Sequence, residues 1–274
     1  MSRSSATDTE AERFDVRSAD GTSLAVWVEG DGPPLVLVHG GMQDHTGSAL
    51  LVEALRNAVT TFAMDRRGRG ASAEGTGDYS IEREFADIAA VVDAVAARAG
   101  RPVAVWGHSY GANCAMGAAT LTGNVDRLVV YEPGLGYAYP AGSIDAVEDA
   151  VAAGDMDAAA DALLFGILEM TEEEADALRS SPVWPSRLAS LPTVPRELRA
   201  EDGWVYQPGQ FAGITAPTLV LAGSESLPAQ DEFTRRAASA IPDARIQVLE
   251  GHGHFAHRED PDLVAGIVRE FLGS

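Results

Sequence analysis

The sequence predicts an α/β fold: a mostly parallel central sheet flanked by helices, with a helical insertion between two late strands. Three observations carry that prediction. Short apolar runs recur along the chain at Leu35–Val38, Thr61–Met64, Val103–Trp106, Leu128–Tyr131, Leu219–Leu221 and Ile246–Leu249. Runs of this length without polar alternation suit strands buried on both faces of a parallel sheet. Between two of them, Ile81 to Ala99 places Phe85, Ile88, Val91, Val92 and Val95 at helical spacing, the clearest helix in the chain. Finally, residues 136–212 contain no good strand and hold Ala-rich and acidic stretches, such as Asp157 to Met170 and Glu172 to Arg179. A Pro-rich, Trp-bearing segment, Pro182 to Pro208, follows them.

Taken in order, residues 1–11 are polar and read as a disordered tail. Phe14–Arg17 and Leu24–Val28 flank Ala19-Asp20-Gly21-Thr22 and read as an opening hairpin. The core is expected over 12–135 and 213–274, and the insertion, a helical cap, over 136–212. The first buried strand runs into His39-Gly40-Gly41, and the next into Asp65-Arg66-Arg67-Gly68-Arg69-Gly70. The latter reads as a structural turn whose charges pair locally. Val103–Trp106 leads into Gly107-His108-Ser109-Tyr110-Gly111, and the small-residue stretch Ala112 to Ala119 reads as the next helix. Leu128–Tyr131 ends at Glu132, and Ile246–Leu249 precedes a loop holding His252 and His254.

Composition limits what such a fold can do. The chain has 274 residues, enough for one large α/β domain with an insertion. All of its basic residues are Arg, which removes Schiff-base lysine chemistry and a Walker lysine. A net charge of −21 disfavours nucleic acid and anionic membrane surfaces as partners. Cys114 is the one cysteine, so no intrachain disulfide forms, and it reads as a small buried residue. There is no apolar signal region and no run long enough to span a bilayer, so a cytoplasmic monomer or homodimer is the expectation.

The chemistry concentrates at Gly-x-Ser-x-Gly. A serine on a sharp strand-to-helix turn is held out in front of the sheet, and small neighbours keep the turn free of collisions. The N–H of Tyr110 and a second N–H, from Gly41, are candidate oxyanion donors. The order of serine first and histidine last is that of neither chymotrypsin-like nor subtilisin-like enzymes. His39-Gly40-Gly41, Met64 to Ser72, the turn at Ser109 and Gly253-His254, in that order, resemble the α/β-hydrolases of the single-domain, cap-bearing kind. The resemblance covers nearly the whole chain after the tail. It implies Ser109 as nucleophile, His254 as general base, and the backbone of Gly41 and Tyr110 as oxyanion hole.

The triad acid departs from the family's usual pattern. Relatives place an Asp three residues past the glycine that ends the strand Leu219–Gly223, and that position here is Ser226. Two carboxylates remain. Glu132 ends the strand after the nucleophile strand, a placement also seen in certain haloalkane dehalogenases; Glu225 is one residue short of the usual site. Glu132 is the preferred assignment, because a histidine base needs an acceptor on its other ring nitrogen.

The resulting expectation is a serine hydrolase cleaving an ester, lactone or thioester of a small acyl substrate through a Ser-His-Glu triad and an acyl-enzyme, without cofactor or metal. C–C bond hydrolysis, a lyase or cyclase role, and a catalytically silent small-molecule receptor are the alternatives. His45, Tyr137, Phe165 and Trp184 are the candidate substrate contacts, with Tyr139, Met170, Trp204 and Tyr206 as further aromatic or flexible residues of the insertion. His39 and His108 read as supports for the loops at the site. His252, His254 and His257 lack a neighbouring Cys and do not suggest a metal centre.

Overall fold

The computed structural model describes residues 12–134 and 136–273. The tail expected at 1–11 lies outside the described residues. Eight strands form one sheet: β1 (Glu12–Arg17), β2 (Ser23–Gly30), β3 (Pro34–Val38), β4 (Thr60–Met64), β5 (Val103–His108), β6 (Val125–Tyr131), β7 (Thr218–Gly223) and β8 (Ala244–Leu249). The helices are α1 (Ala49–Leu55), α2 (Ile81–Ala99), α3 (Tyr110–Ala118), α4 (Ser143–Ala152), α5 (Met156–Gly166), α6 (Glu172–Arg179), α7 (Trp184–Ser190), α8 (Val194–Asp202), α9 (Pro228–Ala240), α10 (Ala256–Glu259) and α11 (Pro261–Leu272).

The strand order is β1-β2-β4-β3-β5-β6-β7-β8. The hairpin strand β2 pairs antiparallel with β1 and with β4. All pairings from β4 to β8 are parallel. Every residue of β3, β5 and β7 is buried, which is why these strands read as unbroken apolar runs. β8 lies at the edge and exposes Ile246 and Val248.

Alternation along the strands divides the core. Val36, Val105, Val130 and Val220 pack with Ile88, Val91, Val95 and Met116 of α2 and α3 on one face. On the other, Leu37, Trp106, Val129 and Leu221 pack with Leu51 and Leu55 of α1 and Val264 and Val268 of α11. α2 spans the predicted residues and ends at Gly100, whose φ of 67° provides the left-handed cap.

Between β6 and β7 the described residues form five α-helices and no strand. Their own apolar cluster includes Ile144, Val147, Leu163, Ile167 and Leu191, and it also takes in Met42 from the loop after β3. The Pro-rich segment is largely helical. Pro185, Pro192 and Pro195 each sit in the first turn of a helix, where the missing N–H has no helical partner to lose. α5 stops at Gly166, short of the predicted Met170, and Glu169 takes a φ of 50° beyond its end. The chain then returns to the sheet through Trp204, Tyr206 and Phe211, which pack against the face covered by α2.

Candidate active site

Ser109 follows the last residue of β5 and precedes the first of α3. Its φ of 53° and ψ of −126° are strained for a residue with a side chain, and they turn the hydroxyl away from the sheet. Two glycines make the turn possible. A Cβ at Gly111 would stand 2.3 Å from the His39 carbonyl oxygen, and one at Gly107 would stand 2.8 Å from the Ala112 Cα. The Ser109 N–H donates to the Tyr131 carbonyl at 2.9 Å, which ties the turn to β6. Among the described residues, Met42, Ser109, Glu132 and Glu169 are the non-glycine residues with positive φ. All four line one cavity of about 380 Å³, so the backbone strain is concentrated there.

His254 sits in the loop after β8 and lines the same cavity. Three contacts hold that loop. The His108 Nε2 lies 2.9 Å from the His254 carbonyl, the Tyr131 hydroxyl donates to the Gly253 carbonyl, and the Ala256 N–H donates to the Tyr131 hydroxyl at 3.2 Å. His254 Nδ1 lies 2.6 Å from Glu132 Oε2. That contact assigns the proton to Nδ1 and leaves Nε2 as the acceptor on the other side of the ring.

Glu132 is itself fully engaged. Its Oε1 accepts the Gly223 N–H at 2.7 Å and the Ser226 hydroxyl. Burial pushes its pKa up. The hydrogen bond and charge of His254, with Ser226 and the Gly223 N–H, pull it down further, and the net shift is downward. The carboxylate is therefore ionised at neutral pH. Ser226, at the family's usual acid position, thus donates to the carboxylate that reaches His254 from β6. The Glu225 side chain lines the cavity without taking this contact, and its N–H is tied to the His252 carbonyl at 2.9 Å.

Gly41 and Tyr110 both line the cavity. Tyr110 opens α3, where the first N–H groups have no helical acceptor. The loop carrying Gly41 passes directly over the turn, since a Cβ at Gly40 would come within 3.2 Å of the Ser109 Cβ. His39 is buried and donates from Nδ1 to the Gly40 carbonyl at 2.9 Å, while its Nε2 accepts the Arg66 N–H at 3.1 Å. Burial and the Arg66 charge bring its pKa down to about 3, so it is a neutral brace for this loop.

Of the four expected substrate contacts, only Tyr137 lines the cavity, together with Tyr139 and Met170. The other three require correction. His45 is held by Asp65 at 2.7 Å and stacked on Trp27 with ring centroids 4.3 Å apart. Phe165 packs against Ala175 and Leu178 under the Arg179 guanidinium. Trp184 is absorbed into the apolar clusters of the insertion. Each finds an apolar or charged partner away from Ser109, which helical spacing alone does not reveal. Trp204 and Tyr206 are likewise taken up by packing with Phe211.

The Arg-rich run is indeed a turn, but its charges do not pair locally. Arg66 reaches Glu84 at 2.7 Å and Glu197 at 3.1 Å, Arg67 reaches Asp87 at 2.6 Å, and Arg69 reaches Glu197 at 2.7 Å. The partners lie on α2 and α8, because a buried guanidinium must find a carboxylate wherever the fold brings one. Asp44, His45 and Asp65 each bring one donor atom within 4.8 Å of the others. Their carboxylates are already hydrogen-bonded: Asp44 to Thr46 and Ser186, and Asp65 to Trp27 and Ala71 and, within the cluster, to His45.

Sequence reasoning missed Arg187, Glu197 and Glu201 in the cavity wall. Glu201 accepts from the Asn113 side chain at 2.6 Å and from the Tyr139 hydroxyl. Burial, with the Glu197 charge adding to it and the hydrogen bonds opposing it, raises the Glu201 pKa to about 7. A lone charge in a helical stretch carries no signal of burial, so these positions were not legible.

The sequence pattern of the Alpha/beta hydrolase family matches residues 35–267. The fold is similar to that of an alpha/beta hydrolase from Sphaerobacter thermophilus, with a TM-score of 0.81 and 32% identity over 94% of this chain and 100% of that one. An esterase from Rhodococcus sp. superposes with a TM-score of 0.75 at 26% identity, covering 96% of this chain and 98% of its own. Among curated proteins, Esterase YbfF of Escherichia coli is 26% identical over 87% of this chain and 92% of its own length. No helix of the described residues is long and apolar enough to cross a membrane. The chain belongs to the Alpha/beta hydrolase family and is an enzyme of the hydrolase type.

Proposed function

We propose that the protein is a serine hydrolase that cleaves a carboxylic ester, lactone or thioester of a small molecule through Ser109, His254 and Glu132. The observation that carries this reading is the 2.6 Å contact between His254 Nδ1 and Glu132 in a cavity shared with the strained Ser109. The similarity to named esterases supports the acyl chemistry.

In this reading Ser109 Oγ attacks the acyl carbon and its proton passes to His254 Nε2. The N–H groups of Gly41 and Tyr110 hold the oxyanion. Glu132 stabilises the imidazolium without taking its proton. His254 then protonates the leaving oxygen or sulfur, and the acyl–oxygen bond to Ser109 remains. Water, losing its proton to His254, attacks that acyl group, and collapse releases the acid and returns the proton to Ser109. The helices of 136–212 act as a cap whose walls select the acyl group. The enzyme works in the cytoplasm, on a soluble small-molecule substrate.

A neutral fluorophosphonate should label the wild-type protein on Ser109 and leave Ser109→Ala unlabelled. On the best substrate of an ester and lactone panel, Ser109→Ala should lose several powers of ten in kcat, on the order of 10⁴-fold or more, with an unchanged circular dichroism spectrum. Near wild-type turnover by the folded variant would sink the serine mechanism.

A further inference from the structure

Arg187 on α7 is 4% exposed and lines the same cavity as Ser109 and His254. Among the described residues its Nε and Nη2 have no hydrogen-bond partner. Its backbone is well anchored, with its N–H donating to the Val183 carbonyl at 3.1 Å and its carbonyl accepting the Ser190 hydroxyl at 2.7 Å. The other buried arginines differ in having a carboxylate close by: Arg66, Arg67 and Arg69 each meet one within 2.7 Å, although the Arg69 guanidinium also lacks hydrogen-bond geometry. Arg187 instead faces burial and the repulsion of Arg258, and the one carboxylate that favours its charge is Asp44. Asp44 is already taken by Thr46 and Ser186. The Arg187 charge also reaches His108, the residue before the nucleophile, and His257, both held neutral chiefly by burial.

A buried guanidinium without a counter-ion is unfavourable unless something supplies one. Its planar fork fits a carboxylate in two parallel hydrogen bonds, and at a buried side chain such bonds are stronger than in water. Arg187 is also the one arginine among the residues lining this cavity. Of the carboxylates lining the cavity, Glu132 and Glu197 are committed to His254 and to Arg66 and Arg69, and none of the others, Glu169, Glu174, Glu201, Glu225 and Glu259, forms an ion pair with Arg187. Leu163, Ile167, Leu168 and Val194 supply apolar wall.

We propose that Arg187 is an anion subsite that determines specificity: the preferred substrate carries a single carboxylate, separated by a short apolar spacer from the carbonyl that Ser109 attacks. The inference rests on Ser109 being an acyl-transfer nucleophile. One cation in an otherwise acidic wall accommodates one anionic group, so a second carboxylate near it is disfavoured.

The test compares mono-4-nitrophenyl adipate with 4-nitrophenyl hexanoate, which differ by a carboxylate in place of a terminal methyl. Wild-type kcat/KM should favour the adipate ester by roughly 10- to 100-fold, the contribution expected of a charge-assisted hydrogen bond. Arg187→Met should bring that ratio to about one or below, and Arg187→Lys should fall between. Hexanoate should raise the wild-type Tm where hexanamide does not, and Arg187→Met should lose that response. Should Arg187→Met not fold, the wild-type comparisons of both pairs decide. Labelling by a neutral fluorophosphonate reports separately on the serine. An unlabelled wild-type protein that cleaves neither ester overturns the serine reading. A labelled, active wild-type enzyme with no preference for the adipate ester, or no Tm response to hexanoate, overturns the anion subsite alone. So does a preference that survives in folded Arg187→Met.

Discussion

In the proposed mechanism, Ser226 and Glu132 together let His254 work without an Asp in the usual place. Glu has one methylene more than Asp, and from the end of β6 it reaches His254 while its other oxygen is bound by Ser226 and the Gly223 N–H. Ser226→Ala removes one donor from that carboxylate. Turnover on the best ester should fall about 10-fold, the cost of one hydrogen bond to a charged group, with KM little changed. A variant as fast as wild type would mean that the Ser226 hydroxyl does not support the acid. A carboxylate at position 226 can also replace the lost one. Adding Ser226→Asp to Glu132→Ala should recover at least ~10-fold of the turnover that Glu132→Ala loses, because the acid returns next to the same ring nitrogen. No recovery in a folded double variant would show that position 226 does not reach His254.

Helix α8 joins the insertion to the core through two glutamates with opposite electrostatic fates. Glu197 is buried against Arg66 and Arg69, whose charges outweigh its burial and bring its pKa down to about 2. Glu201, one turn on, forms no ion pair, and burial outweighs the Arg66 charge and its hydrogen bonds to raise it to about 7. Glu197→Gln leaves two guanidinium groups short of charge, and should cost about 3–5 kcal/mol in urea unfolding at pH 7. Glu201 acts the other way. Its folded pKa lies above the ordinary carboxyl value, so the folded state holds a proton that the unfolded chain has released between about pH 4.5 and 7. Its contribution to stability is full at the acid end of that window and is lost as pH rises through about 7. Relative to Glu201→Gln, the wild-type protein should therefore lose roughly 3 kcal/mol between pH 4.5 and 8. Parallel pH–stability curves for the two proteins would contradict the buried, protonated carboxyl. The elements themselves were mostly legible: the apolar runs marked the parallel strands, and the turn glycines marked Ser109. The α7 and α8 helices were obscured by prolines that start helices as readily as they break them. Arg187 and Glu201 were invisible because their burial comes from partners distant in the chain.

Across the whole molecule, one sheet edge gathers the loops after β3, β5, β6, β7 and β8, and the helices between β6 and β7 complete the cavity wall. The order of motifs along the chain was enough to anticipate that gathering, and of the two carboxylates weighed it is Glu132, not Glu225, that lies within hydrogen-bond reach of His254 Nδ1. What it could not supply was the lining, since three of four anticipated contacts turned to other partners. The net charge of −21 adds a global term of self-repulsion. Screening should relieve it, so Tm should rise as NaCl increases from about 0.02 to 0.3 M; a flat or falling Tm would mean that local ion pairs dominate. The arrangement at the centre of the account is the histidine oriented by an acid from β6. Its most direct measurement is kcat of Glu132→Gln beside Glu225→Gln on the same ester. Glu132→Gln keeps the shape and leaves the wrong partner for Nδ1, so kcat should fall by ~10³–10⁴-fold, while Glu225→Gln should stay near wild type. The reverse pattern, or two variants equally active, would contradict it.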